Sequence, residues 1–359
     1  MSAMNKIRFE KRENQSVLRT LITSILAVIL ALVCCGILIA TVGSKPLKVY
    51  ETMLTQVFLS SVGIKNMLRS SLPLMFCGLG VALTFKMNLN NIGAEGQYAA
   101  GVIAGGAFVL FGPNIEGVPG MIITALCCFI GGAVWALICA IPKAYWGVNE
   151  SITTLMMNYI ALMILAYLCL GPWKMPKQNT GMTERIPRSM DIPEIVIGDM
   201  QISVGVFVGI IVAALIFCAY KYTTGGYQLT VISKSPKSAE YAGISIKKNI
   251  LMVMSLSGGL AGLAGFMQYA GVAHRIVENM PNNAGYTAIV IAYLSRLNPF
   301  MVVVVSILFG GLQNSTAYVQ SLGVPSQIAT MMQGVIMIFV IAADFFQRYK
   351  LVIAKGGKA

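Results

Sequence analysis

Residues 88–97 read NLNNIGAEGQ, and this polar stretch separates two of the most apolar runs of the chain. It contains three asparagines, one glutamate and one glutamine, with glycines at positions 93 and 96. Ionisable and amide groups at membrane depth are costly unless they face protein or a water-filled path. The stretch therefore indicates a functional or structural break within a membrane-spanning bundle.

The composition predicts an all-α polytopic membrane protein. Of 359 residues, 57% are hydrophobic and 11% are charged, whereas about 25% of the residues of a soluble domain are charged. One helical crossing needs about 20 apolar residues, and uncharged runs predict about ten such spans. The runs lie between Arg19 and Lys45, and at 71–85, 96–115, 117–142, 151–173, 200–220, 249–273, 279–295 and 297–343, the last divided by SLGVPSQ at 321–327.

The net charge of +13 follows the pattern of a membrane protein and excludes a nucleic-acid binder, whose cations gather on one soluble face. If the N-terminus is cytoplasmic and crossings alternate, 17 of the 26 cations fall on the cytoplasmic side, as the positive-inside rule describes. Both termini are then cytoplasmic. The predicted parts are an N-terminal segment (1–19), a transmembrane domain (20–345) with an exterior loop (171–202) and a cytoplasmic loop (221–249), and a cytoplasmic tail (346–359).

The chain lacks the motifs of an enzyme. No GxxxxGK[ST] phosphate loop occurs, so any ATP and Mg²⁺ that drive its function would be bound by a partner subunit. His274 is the single histidine, and no companion residues suggest a metal or catalytic site around it. The sequence therefore gives no sign of catalytic chemistry, and we expect this chain to bind no cofactor of its own.

Two polar motifs supply the candidate residues of a solute path. In NLNNIGAEGQ they are Asn91, Glu95 and Gln97, with Asn91 capping a helix and Glu95 in its first turn. The motif has two interpretations: a capped helix start that lets the chain turn, or a discontinuous helix beside the path.

The second motif, GVNESITTLMMNYIA at 147–161, repeats the design with Asn149 as cap, Glu150 in the first turn, and Thr154 and Asn158 on one helical face. This polar stripe faces either the solute path or another helix that it holds by hydrogen bonds. A possible inverted repeat adds Asn283, because NNAG at 282–285 matches NNIG at 90–93 and the two helices are expected to run in opposite directions.

The cytoplasmic loop contains SPKSAEYAGI at 235–244, with Ser235 as N-cap, Pro236 at the first helical position and Gly243 as the stop. An isolated helix this short is marginal in water. It is therefore expected to dock against another protein, or alternatively to pack on its own bundle. The candidate residues are Pro236, Ser238, Ala239, Glu240, Tyr241, Ala242 and Gly243.

These motifs, together with SLSGGLAGLAG at 255–265 and IAYLSRLNPF at 291–300, resemble the permease subunits of ATP-binding-cassette (ABC) importers of the branched-chain amino acid, ribose and nucleoside group. The resemblance covers about residues 70–345. It implies an inverted-repeat fold of ten helices, a second related permease in a heterodimer, ATPase subunits, and an extracellular binding lipoprotein of the basic membrane protein type. It makes Pro236 to Ala242 the coupling helix.

The resulting expectation is a multi-pass permease of the bacterial cytoplasmic membrane that imports a small polar solute, a purine nucleoside, by alternating access. A simple-sugar permease is the alternative, and an ion-coupled carrier is a further one. The stretch GYTAIVIAYLSRLNPF at 285–300 departs from the family pattern, which weakens the assignment of a particular solute.

Overall fold

The computed structural model describes residues 6–11, 17–113, 115, 117–175, 180–198 and 200–354. Parts of the predicted N-terminal segment and tail lie outside these ranges. The chain divides into two compact units, and each is described by itself. Unit 1 comprises 1–56 and 315–359, and unit 2 comprises 57–314.

The described residues are mainly helical, which confirms the all-α membrane class. The α-helices are α1 Val17–Thr41, α2 Pro46–Met53, α3 Ser61–Lys86, α4 Ala94–Phe111, α5 Gly117–Trp146, α6 Glu150–Leu170, α7 Val204–Tyr222, α8 Thr224–Lys234, α9 Pro236–Tyr241, α10 Ile246–Gln268, α11 Ala284–Leu294, α12 Pro299–Ser321 and α13 Ser326–Arg348. Leu54–Leu59 and Tyr269–Ala273 are π-helical, and Arg188–Met190 is a 3-10 turn. The strands are β1 Lys6–Lys11, β2 Glu194–Ile197, β3 Met200–Ser203 and β4 Tyr349–Ala354.

The predicted count of ten spans is confirmed only in part. Among the described residues, seven helices are long and apolar enough to cross a membrane, and an eighth span is possible if α1 and the segment Pro46–Leu59, bent by 120° from it, are counted as one. Two further helices belong to the bundle without meeting that test. Helix α4 begins with the polar residues AEGQ, and α11 has only 11 residues.

Unit 1 joins the two ends of the chain. Helix α1 packs on α13 around a core that includes Cys35, Ile39 and Met332. Strands β1 and β4 pair antiparallel, from Lys6 opposite Ala354 to Lys11 opposite Tyr349. Because β1 precedes α1 and β4 follows α13, the pairing places the start of α1 beside the end of α13.

Helix α10 is the centre of unit 2, and it packs closely because its face is made of glycine. Gly258 and Gly262 lie against Gly132 of α5, and a Cβ at Gly262 would collide with the carbonyl oxygen of Cys128. Gly101 of α4 lies against Gly262 from another side. The small-residue stretches in the sequence are therefore packing faces, and they let three backbones approach one another.

The contacts along these helices give their directions. Helix α5 is antiparallel to α10, since Ala136 lies beside Gly258 while Cys128 lies beside Gly262. It is also antiparallel to α4, since Gly131 lies beside Ala100 and Ala104 while Gly105 lies beside Thr124 and Cys128. Helices α4 and α10 therefore run in the same direction.

Helices α3 and α11 run the other way. Leu72 and Met267 both contact Gly205, and Gly80 lies beside Ser257, so α3 is antiparallel to α10. Helix α11 follows α3 from the contact of Ile291 with Gly78 to that of Tyr293 with Phe85, whose ring centroids are 4.8 Å apart. Helices α4 and α11 consequently run in opposite directions, as the inverted repeat predicts.

One end of unit 2, here called the α9 end, collects the predicted cytoplasmic segments. An apolar cluster joins the last turns of α3 and α5 to α8, α9 and the first turn of α10; its members include Leu83, Ala140, Leu229, Ala239 and Ile250. Cations predicted to be cytoplasmic flank this cluster in the sequence. They are Lys86, Lys143, Lys221, Lys234, Lys237, Lys247 and Lys248.

The opposite end, here called the hairpin end, contains the predicted exterior loop. Thr183 and Ile192 bond through their backbones to Ile276 and Ala270, so the loop packs on the segment that follows α10. The β2–β3 hairpin is held to α3 by Glu194, whose carboxylate pairs with Lys65 (3.0 Å) and accepts a hydrogen bond from Nε of Arg69 (2.7 Å).

The Glu194 pairing predicts a pH dependence. Partial burial raises the pKa of Glu194, but the hydrogen bonds and charges of Lys65 and Arg69 outweigh it, so the pKa lies below its ordinary value. A carboxylate with a depressed pKa stabilises the fold above the ordinary pKa, and this contribution is lost as the pH falls through the folded-state pKa. Thermal unfolding between pH 7 and pH 3 should show Glu194→Gln as less stable than wild type at neutral pH, with a flatter pH profile.

Glu184→Gln is the matched control, because Glu184 lies in the same loop and is exposed. Its unfolding profile should follow that of the wild type. Parallel profiles for wild type and Glu194→Gln would show that the ion pair does not stabilise the hairpin.

Candidate functional site

The chain re-enters the bundle between α3 and α4. Residues 87–93 connect the end of α3, at the α9 end, to Ala94, where α4 begins. Asn158 of α6 bonds to this connection, and it lies eight residues into a helix that starts at Glu150, which is about 12 Å at 1.5 Å per residue. Helix α4 therefore starts inside the bundle, and the connection is an interior loop.

Asn91 organises this loop through its side-chain amide. Its Nδ2 donates to Oε1 of Gln97 (3.0 Å) and to Oγ of Ser257 in α10 (3.0 Å). Its Oδ1 accepts from the backbone N–H of Gly93 (2.9 Å) and from Nε2 of Gln97 (3.0 Å). The helix was expected to start near Asn91, but it begins three residues later, because Asn91 is used to hold the loop against α10.

The polar stripe of α6 satisfies the backbone of the same loop. Thr154 accepts from the N–H of Ile92 (3.3 Å), and Asn158 accepts from the N–H of Gly96 (2.8 Å). The Nδ2 of Asn158 donates to the carbonyl of Ile92 (2.9 Å) and to the hydroxyl oxygen of Tyr286 (3.2 Å). Irregular backbone at membrane depth needs such internal partners, and α6 supplies them.

Helix α6 starts as the sequence predicts. Asn149 is its N-cap and accepts from the N–H of Ser151 (3.0 Å). Glu150 in the first turn forms an ion pair with Lys143 at the end of α5 (2.7 Å) and accepts from the N–H of Asn90 (3.3 Å). Its carboxylate thus joins the ends of α5 and α6 to the interior loop.

Glu95 links two helix N-termini. It lies in the first turn of α4 and is 2% exposed. Its Oε1 accepts from the backbone N–H of Asn283 (2.8 Å), and its Oε2 accepts from that of Gly285 (2.6 Å), at the start of α11. Gly285 lies against the backbone of Ala94 and Glu95, with no room for a Cβ. Since α4 and α11 run in opposite directions, one carboxylate lies between two positive helix ends.

Most of the predicted path residues therefore meet in one buried network around the interior loop: Asn91, Glu95, Gln97, Glu150, Thr154, Asn158 and the backbone of Asn283. Asn149 is exposed and caps α6 only, and the Asn283 residue is exposed at φ 63°. The assignment of these residues to the solute path remains a prediction.

Sequence reasoning missed several members of the network. Ser257 lies in the stretch SLSGGLAGLAG and is not among the candidate residues of the sequence analysis, yet its hydroxyl bonds to Asn91. Lys143 and Tyr286 were not singled out, although each bonds to a predicted residue. The adjacency of Tyr286 to the NNAG motif is the signal that could have found it.

The predicted coupling helix is present, with the predicted signals. In α9 Pro236 occupies the first turn, Ser235 accepts from the N–H of Ser238 (3.3 Å), and Gly243 follows at φ 73°. Ala239 is buried in the α9-end cluster, whereas Tyr241 is 93% exposed. Helix α8, which immediately precedes it, was not predicted.

Comparison with protein families decides what this bundle is. Residues 63–341 match the family described as "Branched-chain amino acid transport system / permease component". The chain belongs to this permease family. It is accordingly a multi-pass protein of the cell membrane and a transport component.

Three relatives match almost throughout. A glucose ABC transporter permease protein of Haloferax volcanii is 31% identical over 92% of this chain and 90% of its own. A guanosine ABC transporter permease protein of Bacillus subtilis is 29% identical over 89% and 92%. A nucleoside ABC transporter permease protein of Lactococcus lactis is 27% identical over 95% and 96%. No solved structure matches the permease.

We expect Glu95→Gln to destabilise the permease. A carboxamide has one acceptor oxygen and directs an NH₂ group towards an N–H donor, so one hydrogen bond is lost and its backbone donor is left buried without a partner. This loss costs about 1–3 kcal/mol. The measurement is thermal unfolding of the purified protein.

Glu51→Gln is the control, because Glu51 is exposed in α2. Its unfolding temperature should equal that of the wild type. If Glu95→Gln also equals the wild type, the carboxylate does not hold the two helices together.

Proposed function

We propose that the permease is the membrane subunit of an ABC importer and that its solute is a purine nucleoside. The ABC assignment is supported by the three relatives, each named as an ABC transporter permease protein. Two of these relatives are named for guanosine or nucleosides, and this supports the nucleoside. A simple sugar is the second candidate, favoured by the relative named for glucose.

The observation that carries the importer mechanism is the presentation of α9. The helix is fixed to the bundle through buried Ala239 and presents Tyr241 outward. Two turns of helix have little stability alone, so α9 depends on its contacts with the bundle. A partner that docks on its exposed side could therefore displace the bundle through these contacts. The partner is a separate ATPase subunit that binds ATP and Mg²⁺, and this chain contributes no hydrolytic site.

A mechanical route from α9 to the interior loop supports alternating access. Helix α9 packs against α10, and α10 bonds through Ser257 to Asn91 of the loop. The loop leads directly into α4, whose Glu95 carries the connection on to α11. A displacement of α9 would thus reach both α4 and α11, and we place the solute path beside this network.

An ion-coupled carrier is less well supported. Its coupling ion would need a carboxylate at membrane depth, and Glu95 and Glu150 are the two carboxylates that could bind such an ion. Glu95 accepts two backbone N–H groups, and Glu150 is paired with Lys143. Both carboxylates are therefore engaged in holding the fold.

The remaining parts of the importer follow the same proposal. We place the α9 end and both termini in the cytoplasm of a bacterial cell, in accord with the cations around α9 and the β1–β4 pairing. The extracellular binding lipoprotein would dock at the hairpin end. A second, related permease would complete the path as a heterodimer.

The solute is tested with the reconstituted importer: both permeases, the ATPase and the binding lipoprotein in proteoliposomes. ATP-dependent uptake of radiolabelled guanosine and adenosine is expected, with little uptake of glucose or ribose. Uptake of a sugar alone would overturn the nucleoside assignment and retain the importer. Uptake that persists without ATP and collapses with an ionophore would overturn the importer itself.

The role of α9 is tested by Tyr241→Ala. An exposed aromatic anchor contributes about 2 kcal/mol or more to an interface, so ATP-driven uptake and association with the ATPase should fall at least about tenfold. The unfolding temperature should stay unchanged because Tyr241 is not part of the packed core. Tyr227→Ala in α8 is the control, since that side chain is 68% exposed. Equal uptake by the two variants would contradict the coupling role.

A further inference from the structure

A cavity of about 400 Å³ lies between α7 and α10 of unit 2, with α3, α5 and α8 contributing to its walls. Its lining is almost wholly aliphatic and aromatic, from Val212 and Ile216 on α7 to Phe129 on α5 and Leu256 on α10. Phe129 lies on Gly259, where an added Cβ would meet its ring. We call this space the α7–α10 groove.

The groove runs along most of the depth of one membrane leaflet. On α7 its lining runs from Val212 to Tyr220, and on α10 from Leu260 back to Met252. Eight residues of helix rise about 12 Å, and one leaflet is about half of the roughly 30 Å hydrocarbon core. Leu215 and Leu256, which line it, are 63% and 41% exposed, so the groove opens sideways towards the surrounding hydrocarbon.

One ammonium group lies at the α9 end of the groove. Nζ of Lys86 is 5.5 Å from the ring centroid of Tyr220, which lines the groove. Lys221, the residue after Tyr220, lies over the rings of Phe217 and Tyr222, and neither ring lines the groove. Among the residues that the structure describes, Lys86 forms no ion pair. Basic positions between spans at the cytoplasmic surface attract anionic lipid head groups.

We propose that the α7–α10 groove binds an anionic phospholipid, with one acyl chain along the apolar walls and the phosphate at Lys86. The depth within one leaflet, the apolar lining and the cation at one end together match the chemistry of such a lipid. Gly225 and Gly226 of α8 close the head-group end, so the lipid would brace the helix that leads into α9.

The test is native mass spectrometry of the purified permease in detergent, titrated with phosphatidylglycerol or phosphatidylcholine of the same chains. We expect tighter retention of phosphatidylglycerol and a higher unfolding temperature with it. Lys86→Gln should weaken phosphatidylglycerol retention about fivefold and leave phosphatidylcholine retention unchanged. Lys221→Gln, an exposed lysine at the same end of α7 whose neighbouring rings lie outside the lining, should behave as wild type.

A second pair of variants tests the groove itself. Ile216→Trp fills it and should abolish lipid retention, whereas Ile210→Trp, at an exposed position of α7 outside the lining, should not. Equal retention of the two lipids by wild type would overturn the proposal. So would unchanged lipid retention by Ile216→Trp together with lost pairing to the second permease, which would make the groove a protein interface.

Discussion

One carboxylate joins helices α4 and α11 of this bundle. Glu95 lies between the N-termini of α4 and α11, which begin at the same place and run in opposite directions. Each helix start presents unsatisfied N–H groups and a partial positive charge. Two such ends facing each other in a low-dielectric interior would repel. The negative carboxylate attracts both ends and so offsets this repulsion. The close approach also requires Gly285, where no Cβ fits.

The other buried polar groups follow from that junction. A helix that starts inside the bundle needs a loop leading to it, and the backbone of that loop has no water to bond to. Thr154 and Asn158 from α6 and Ser257 through Asn91 supply the partners. The network is therefore a structural frame that connects α6, α10 and α11, and in the proposed importer it connects the coupling helix to α4 and α11.

The sequence predicts well what depends on near neighbours. The caps Asn149 and Ser235, Pro236 at a helix start and Gly243 at a helix end all have local signals, and the structure confirms them. It predicts poorly what depends on distant partners. Glu95 has the spacing of a residue that serves its own helix, but its partners are 188 and 190 positions away. Helix α11 was expected as a full span over 279–295, yet it has only 11 residues because it begins at that junction.

The claim that Glu95 holds the start of α11 is tested most directly by hydrogen–deuterium exchange over residues 280–288. The account predicts slow exchange of the Asn283 and Gly285 amides in the wild-type permease. It also predicts exchange faster by about tenfold or more in Glu95→Ala, with the protection of α5 and α10 unchanged. Rapid exchange in the wild type, or equal rates in the two proteins, would contradict it.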